Sequence, residues 1–201
     1  MEAGASASNE LLDYAADALG QNGLASSRLA ATNSVSGLIS WGLQHNSDSA
    51  AFPRVPVNGH GSFVAHLPIS GALAWFTGAT YSEVDAASIN LPKGHRENLQ
   101  RLSHLLGDVA LALTPRFDQA QVQAWTGTRC ITIDRLPAVG ALDSDPHPSL
   151  WVSTGMGSRG LTYAALCAEL LAAQLGGEPL PIESSLAKSI AATRPQLLHH
   201  L

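Results

Sequence analysis

Three glycines spaced as Gly155-x-Gly157-x-x-Gly160 form the motif with the clearest chemical meaning in this 201-residue sequence. They follow the apolar run Leu150–Val152 and precede a helical pattern. Glycine lets a backbone turn tightly and approach a ligand closely. The free N–H groups and the positive dipole end of the following helix favour an anion or an electron-rich ring. The loop is therefore a candidate cofactor-binding site, and a glycine corner with only a packing role is the alternative.

The motif lacks the context of a first dinucleotide-binding turn. Such a turn needs a second strand after the helix, with an acidic residue about 20 positions on for the ribose. Glu178 lies near that distance, but the stretch "EPLPIESSLAKS" contains no buried strand. A minimal NAD(P)-binding domain over residues 150–178 remains the less favoured interpretation.

Other constellations predict no further chemistry. The two cysteines and eight histidines show no metal-ligand spacing, no Gly-x-Ser-x-Gly elbow occurs, and we predict no metal and assign no catalytic residue. The net charge of −5 and the lack of a Lys/Arg run predict no strong nucleic-acid surface on this chain. We find no basic, apolar leader and no apolar run of about 18 residues, so we expect a cytoplasmic protein without a membrane partner.

The hydrophobic patterns predict an α+β fold. We expect an antiparallel or mixed sheet from about Leu38 to Asp134, with a hairpin turn at Ser70-Gly71 and a helix from about His95 to Val109. A strand, a loop and a helix follow over residues 150–175. Three further expectations concern side chains and helix ends. Pro115 should end any helix that reaches it, Trp75 and Trp125 should lie in the core, and Glu97 and Arg101 should form an i,i+4 pair.

Four stretches of the sequence carry a resemblance to a known family. They are "FTGATYSE", "HRENLQRLSHLL", "WTGTRCITIDRLPAVGAL" and "LWVSTGMGSRGLTYAALCAELLAAQLGGEPLPIE". Together they resemble the C-terminal part of the D-amino-acid-oxidase-like FAD-dependent oxidoreductases, which include glycine oxidase. The nearest group is the oxidoreductase half of the bifunctional enzymes of tRNA 5-methylaminomethyl-2-thiouridine biosynthesis. The likeness is specific from about Gly78 to Glu183 and faint before Gly59.

The resemblance implies a split FAD domain. In that family a Rossmann turn comes first, an antiparallel substrate domain follows, and a last strand, loop and helix return to the flavin. It implies that residues 1–35 are a remnant of the FAD domain or a linker, 36–128 a substrate-domain-like sheet and helix, and 129–201 the return to the FAD domain. The sequence has no second Gly-x-Gly-x-x-Gly motif, so we expect the C-terminal portion of an oxidase with the N-terminal Rossmann unit absent.

The resemblance also implies roles for individual residues. Arg129 matches the position that clamps a substrate carboxylate, although a pair with Asp134 or another surface acid is the alternative. Tyr81 matches the substrate side, although packing is its alternative role. Arg159 either contributes a cation or points to solvent. The residues implied to face the flavin are Gly155, Met156, Gly157, Ser158, Arg159, Gly160 and Leu161.

The implied function is FAD-dependent oxidation of a C–N bond in a glycine-like amine, with a small amine or a modified tRNA wobble nucleoside as substrate. We expect the isolated chain to bind FAD weakly and to be inactive. We also expect an uncovered apolar face at Leu161, Leu171 and the Leu150–Val152 strand, which would favour self-association or docking onto an N-terminal FAD-domain half. A folded, non-catalytic remnant or an interaction module without cofactor is the alternative.

Overall fold

The computed structural model describes residues 32–48, 51–83, 86–142 and 150–195. The chain divides into two compact units. One unit is Ser36–Gly127, and the other is Met1–Val35 together with Thr128–Leu201. The expectation for residues 1–35 lies outside the described residues except at positions 32–35. Helices combined with an antiparallel sheet confirm the predicted α+β class.

A five-stranded sheet is the main β element. Its strands are β1 (Thr32–Leu43), β2 (Val57–Gly59), β3 (Gly61–Ile69), β4 (Ala72–Gly78) and β5 (Gln123–Thr132). They are ordered β2-β3-β4-β1-β5, and the β2–β3, β3–β4 and β4–β1 pairs are antiparallel. The boundaries of the two units fall within β1 and β5.

The β3–β4 hairpin turns at the predicted dipeptide. Ser70 has φ +48° and Gly71 has φ +84°. Positive φ at both central residues is what a type I′ turn requires, and this turn matches the right-handed twist of the two strands. The turn also fixes the register, in which Ile69 pairs with Ala72.

Two helices replace the single predicted one. Helix α1 is Leu91–Leu105, and its N-cap Asn90 accepts a 3.0 Å hydrogen bond from the Lys93 amide. Leu106 leaves the helical region at φ −146°, and helix α2 then runs over Gly107–Asp118. The prediction that Pro115 ends a helix was wrong, because Pro115 lies inside α2. The helix ends three residues later, so the missing N–H removes one bond from its last turn.

The core of the Ser36–Gly127 unit lies between the sheet and these helices. It consists of Phe52, Phe63, Trp75, Leu102, Val109, Ala110 and Leu113. Trp75 is fully buried, as predicted, whereas the prediction for Trp125 was wrong because 56% of it is exposed. The prediction of an ion pair between Glu97 and Arg101 was also wrong. Glu97 lies 3.9 Å from Lys93, and Arg101 donates to the carbonyl of Ala79.

The described part of the other unit has a small sheet and two helices. Strands β6 (Ala138–Ala141) and β7 (Trp151–Thr154) pair antiparallel, and helices α3 (Gly160–Gly176) and α4 (Ser184–Ser189) follow. As predicted, α3 stops at the glycine pair, where Gly177 has φ +65°.

The predicted uncovered apolar face was only partly right. Leu161 is fully exposed. Leu150 and Val152 instead pack on a buried cluster that includes Leu142. Leu171 packs on a second buried cluster, which includes Cys167 and Leu170 of α3.

Candidate functional site

The glycine loop, residues 155–161, contains backbone angles that only glycine adopts easily. Gly155 has φ +72° and Gly157 has φ +57°. Gly155 is buried, and a Cβ placed on it would lie 2.7 Å from Cγ2 of Thr132. The chain then makes a 3-10 turn over Gly157–Arg159 and enters α3 at Gly160. Conformation and close packing therefore both require glycine at position 155.

The start of α3 carries no side-chain cap. Arg159 occupies the N-cap without a side-chain capping bond, so the first N–H groups of a 17-residue helix have no side-chain acceptor at that position. A Cβ placed on Gly160 would meet no atom within 4 Å. Leu161 is fully exposed, and Ser158 and Arg159 are exposed beside it. This corner offers N–H donors, a positive dipole end and an apolar side chain in one place.

Arg159 is exposed to solvent and also contacts the protein. Its Nη2 donates to the carbonyl of Arg135, and its guanidinium stands 5.1 Å from the centre of the Tyr163 ring. One alternative for this residue was a side chain pointing to solvent. Its exposure fits that alternative, and its contacts also link the loop to the turn that follows β5.

Arg129 lies on the strand beside the loop. It is half-buried in β5, two residues before Ile131, and residues two apart on a strand share a face. Ile131 forms a β-bridge with Met156, and its Cγ2 lies 3.2 Å from the position of a Cβ on Gly157. The structure thus places the β5 face that carries Arg129 next to the glycine loop.

Asp134, the acid named as one alternative partner of Arg129, is bound by another arginine. Both carboxylate oxygens of Asp134 are held by Arg194, at 2.7 Å from Nε and 2.8 Å from Nη2. These bonds from Arg194 lower the pKa of Asp134 to about 2. Sequence reasoning missed Arg194, because an arginine near the end of a chain gives no indication of a partner 60 positions away.

Tyr81 belongs to the other unit. It is 57% exposed, and the guanidinium of Arg101 lies 5.9 Å from the centre of its ring. Arg101 also donates a 3.0 Å hydrogen bond to the carbonyl of Ala79. Tyr81 is thus neither buried nor part of the core, and its proposed place on the substrate side stays a prediction.

The loop does not have the topology of a nucleotide-binding βαβ unit. Such a unit needs a strand after α3 that runs parallel to β7. Within residues 150–195 the only pairing after α3 is an isolated bridge of Ala191, which is parallel to Val139 of β6. Because β6 is antiparallel to β7, the minimal NAD(P)-binding domain is ruled out as an interpretation.

The residues present fit the ring end of a flavin dinucleotide. The open helix start and the space beside Gly160 suit a flat, electron-rich ring that gains negative charge.

Among the described residues, no group of His, Cys, Asp and Glu side chains could hold a metal ion. Within the same ranges, no helix has the length and apolar character needed to cross a membrane.

Comparison with known proteins gives a family match and close sequence relatives. Residues 25–174 match the family described as FAD dependent oxidoreductase. The chain is 50% identical over 169 residues to the tRNA 5-methylaminomethyl-2-thiouridine biosynthesis bifunctional protein MnmC of a Polaromonas species, covering 83% of this chain and 26% of that protein. The protein of the same name from Polaromonas naphthalenivorans is 46% identical with the same coverage. The chain therefore spans about a quarter of the length of these relatives.

Solved structures share the fold at low sequence identity. Glycine oxidase from Geobacillus kaustophilus superposes with a TM-score of 0.54 at 22% identity, over 82% of this chain and 40% of that one. Iminodiacetate oxidase from Chelativorans sp. BNC1 gives a TM-score of 0.53 at 18% identity, over 84% and 42% of the two chains. At this level of identity the likeness concerns the fold.

Proposed function

Since this chain belongs to the family of FAD-dependent oxidoreductases, we propose that it supplies the flavin-facing corner and the substrate sheet of an amine oxidase. Residues 155–161 face the flavin ring, residues 36–128 form the substrate domain, and residues 129–201 return to the FAD domain. The observation that carries the proposal is the uncapped start of α3, with its open space at Gly160 and its exposed Leu161.

The proposed reaction oxidises a C–N bond in a glycine-like amine. When bound, FAD would supply the two-electron oxidation of the amine to an imine, which water would then hydrolyse. The chain's own groups would stabilise charge and orient the substrate. The N–H groups and dipole at the start of α3 would favour negative charge on the ring. Arg129 would hold the substrate carboxylate, because its planar guanidinium binds both oxygens at once, and Tyr81 would line the substrate side.

The proposed substrate is a small amine or a modified tRNA wobble nucleoside. The relatives at 46–50% identity are named for tRNA 5-methylaminomethyl-2-thiouridine biosynthesis. A role on tRNA would place the reaction in the cytoplasm. With a formal charge of −5, this chain is expected to bind RNA phosphates weakly by itself. We therefore propose that most contacts to the tRNA backbone come from residues outside this chain.

The role of Arg129 gives the sharpest test of this proposal. The test uses a complete flavin-loaded enzyme assembled around this segment, in which we expect glycine-type amines to bleach the flavin absorbance under anaerobic conditions. Arg129→Ala should weaken carboxylate substrates by about 2–5 kcal/mol, the scale for leaving one member of a buried charge pair alone. Arg96→Ala, on the exposed face of α1, is the matched control and should leave substrate affinity unchanged. Unchanged substrate affinity in Arg129→Ala would refute the clamp.

A further inference from the structure

Arg194 is the most completely bonded side chain among the described residues of its unit. Only 3% of it is exposed. Besides its two bonds to Asp134, Nη1 donates to the carbonyls of Pro137 (2.8 Å) and Ala191 (3.0 Å), and Nη2 donates to that of Leu136 (2.9 Å). These five hydrogen bonds equal the number of guanidinium N–H donors. Arg194 thus fastens the turn at residues 133–137, which joins β5 to β6.

That turn is also the support of the glycine loop. Thr132, at the base of the turn, donates from Oγ1 to the carbonyl of Leu136 at 2.6 Å. The Cγ2 atom of the same threonine closes the space beside Gly155. On the other side of the loop, Arg159 donates to the carbonyl of Arg135. Thr132 and the turn therefore contact the loop at two points, Gly155 before the 3-10 turn and Arg159 at its end.

We infer that Arg194 is a positioning residue for the loop at residues 155–161, acting through the turn at residues 133–137. The inference deepens the proposed function and rests on it for the identity of the ligand, since the loop is the segment proposed to face the flavin. The hydrogen bonds of Arg194 go to Asp134, Leu136, Pro137 and Ala191 and none goes to the described loop, so we expect its effect on the loop to pass through the turn.

Arginine suits this task better than lysine. Its planar guanidinium directs five donors along fixed directions, and here one carboxylate and three carbonyls are bound at once. A lysine ammonium has three donors and cannot hold all of these acceptors. Because a displacement of about 1 Å at a reacting group can cost roughly a hundredfold in rate, a group that fixes the loop acts on function from a distance.

The test uses the ¹⁵N-labelled 201-residue chain and its amide resonances. The variants are Arg194→Lys and the milder Asp134→Asn, which keeps the three bonds from Arg194 to carbonyls. The control is Ile190→Val, which trims an apolar cluster on which Leu136 of the turn and Met156 of the loop pack, but removes none of the hydrogen bonds that Arg194 makes to the turn. Melting temperatures show how much each variant destabilises the chain, so that local and global effects can be separated.

We expect Arg194→Lys to move the resonances of residues 133–137 and also those of Gly155, Gly157 and Gly160, beyond the shifts seen in Ile190→Val. Asp134→Asn should move the same glycine resonances in the same direction by less. If the turn moves and the three glycines do not, or if Ile190→Val moves them equally, the inference is overturned. Should Arg194→Lys fail to fold, the Asp134→Asn comparison decides alone.

A flavin titration of the same samples keeps the two claims apart. If riboflavin perturbs the loop in the wild-type chain, its affinity should fall in Arg194→Lys and stay level in Ile190→Val. If riboflavin does not shift the amide resonances of the loop in the wild-type chain, the proposed function is contradicted. The coupling of Arg194 to the glycine resonances would then still decide the inference.

Discussion

Replacing Gly155 by alanine should destabilise the chain more than the same change at its neighbouring glycines. A Cβ on Gly155 would lie 2.7 Å from Cγ2 of Thr132, and the backbone there has φ +72°. The left-handed conformation costs a non-glycine residue about 1–2 kcal/mol. Forcing an extra methyl group into a packed site costs about 1–3 kcal/mol more. The expected loss in the free energy of unfolding is therefore about 2–5 kcal/mol.

The neighbouring glycines provide graded controls. Gly157 has φ +57°, but a Cβ there would meet only the Cγ2 methyl group of Ile131 at 3.2 Å, so Gly157→Ala should cost about 1–2 kcal/mol. Gly160 has φ −54° and an open Cβ direction, so Gly160→Ala should be neutral or stabilise the helix by up to about 1 kcal/mol. Urea unfolding of the three variants measures the series.

A second substitution separates the steric term from the backbone term. Thr132→Ser removes the clashing methyl group and keeps the hydroxyl that donates to Leu136. In the double variant, the combined loss should be smaller than the sum of the two single losses, because one clash is removed. A Gly155→Ala variant as stable as the wild type, or strict additivity of the pair, would refute the packing described for this corner.

The remaining predictions concern charged groups. The pKa of Asp134 is lowered to about 2, below an unfolded value of about 4. Its stabilisation is therefore complete above about pH 4 and lost as pH falls through about 2; acid titration should show a flatter stability curve in this window for Asp134→Asn. Arg116 binds the buried Asp48 at 2.7 Å, so Arg116→Ala should cost about 3–5 kcal/mol in chemical denaturation by leaving that carboxylate unpaired. Lys93→Ala removes an exposed ion pair 3.9 Å long and should change stability by less than about 0.5 kcal/mol in the same assay.

The elements that the sequence predicts well are those set by local chemistry. The Ser70-Gly71 turn and the stop of α3 at Gly176-Gly177 depend on positive φ, which glycine favours at any position in a fold. The antiparallel sheet and the strand-loop-helix follow from hydrophobic period and from the family resemblance. These features need no knowledge of distant partners.

The features that the sequence misses depend on contacts far apart in the chain or on weak local preferences. The apolar period of α1 continues through Leu106, so the break there has no trace in the pattern. Asp134 lies five positions from Arg129 and suggests a local pair, but the fold gives that carboxylate to Arg194. Trp125 fits a core pattern by residue type alone, and only the sheet shows that its side chain is exposed.

The most direct test of the proposed function asks which half of FAD the glycine loop recognises. We expect the 201-residue chain to bind FAD weakly, so amide chemical shifts in the labelled chain are the suitable measurement. Riboflavin and adenosine monophosphate are titrated separately. We expect riboflavin to shift the resonances of residues 155–161, and adenosine monophosphate to leave them unchanged. If adenosine monophosphate shifts these residues and riboflavin does not, the loop binds nucleotide phosphate, and its assignment to the flavin ring is contradicted.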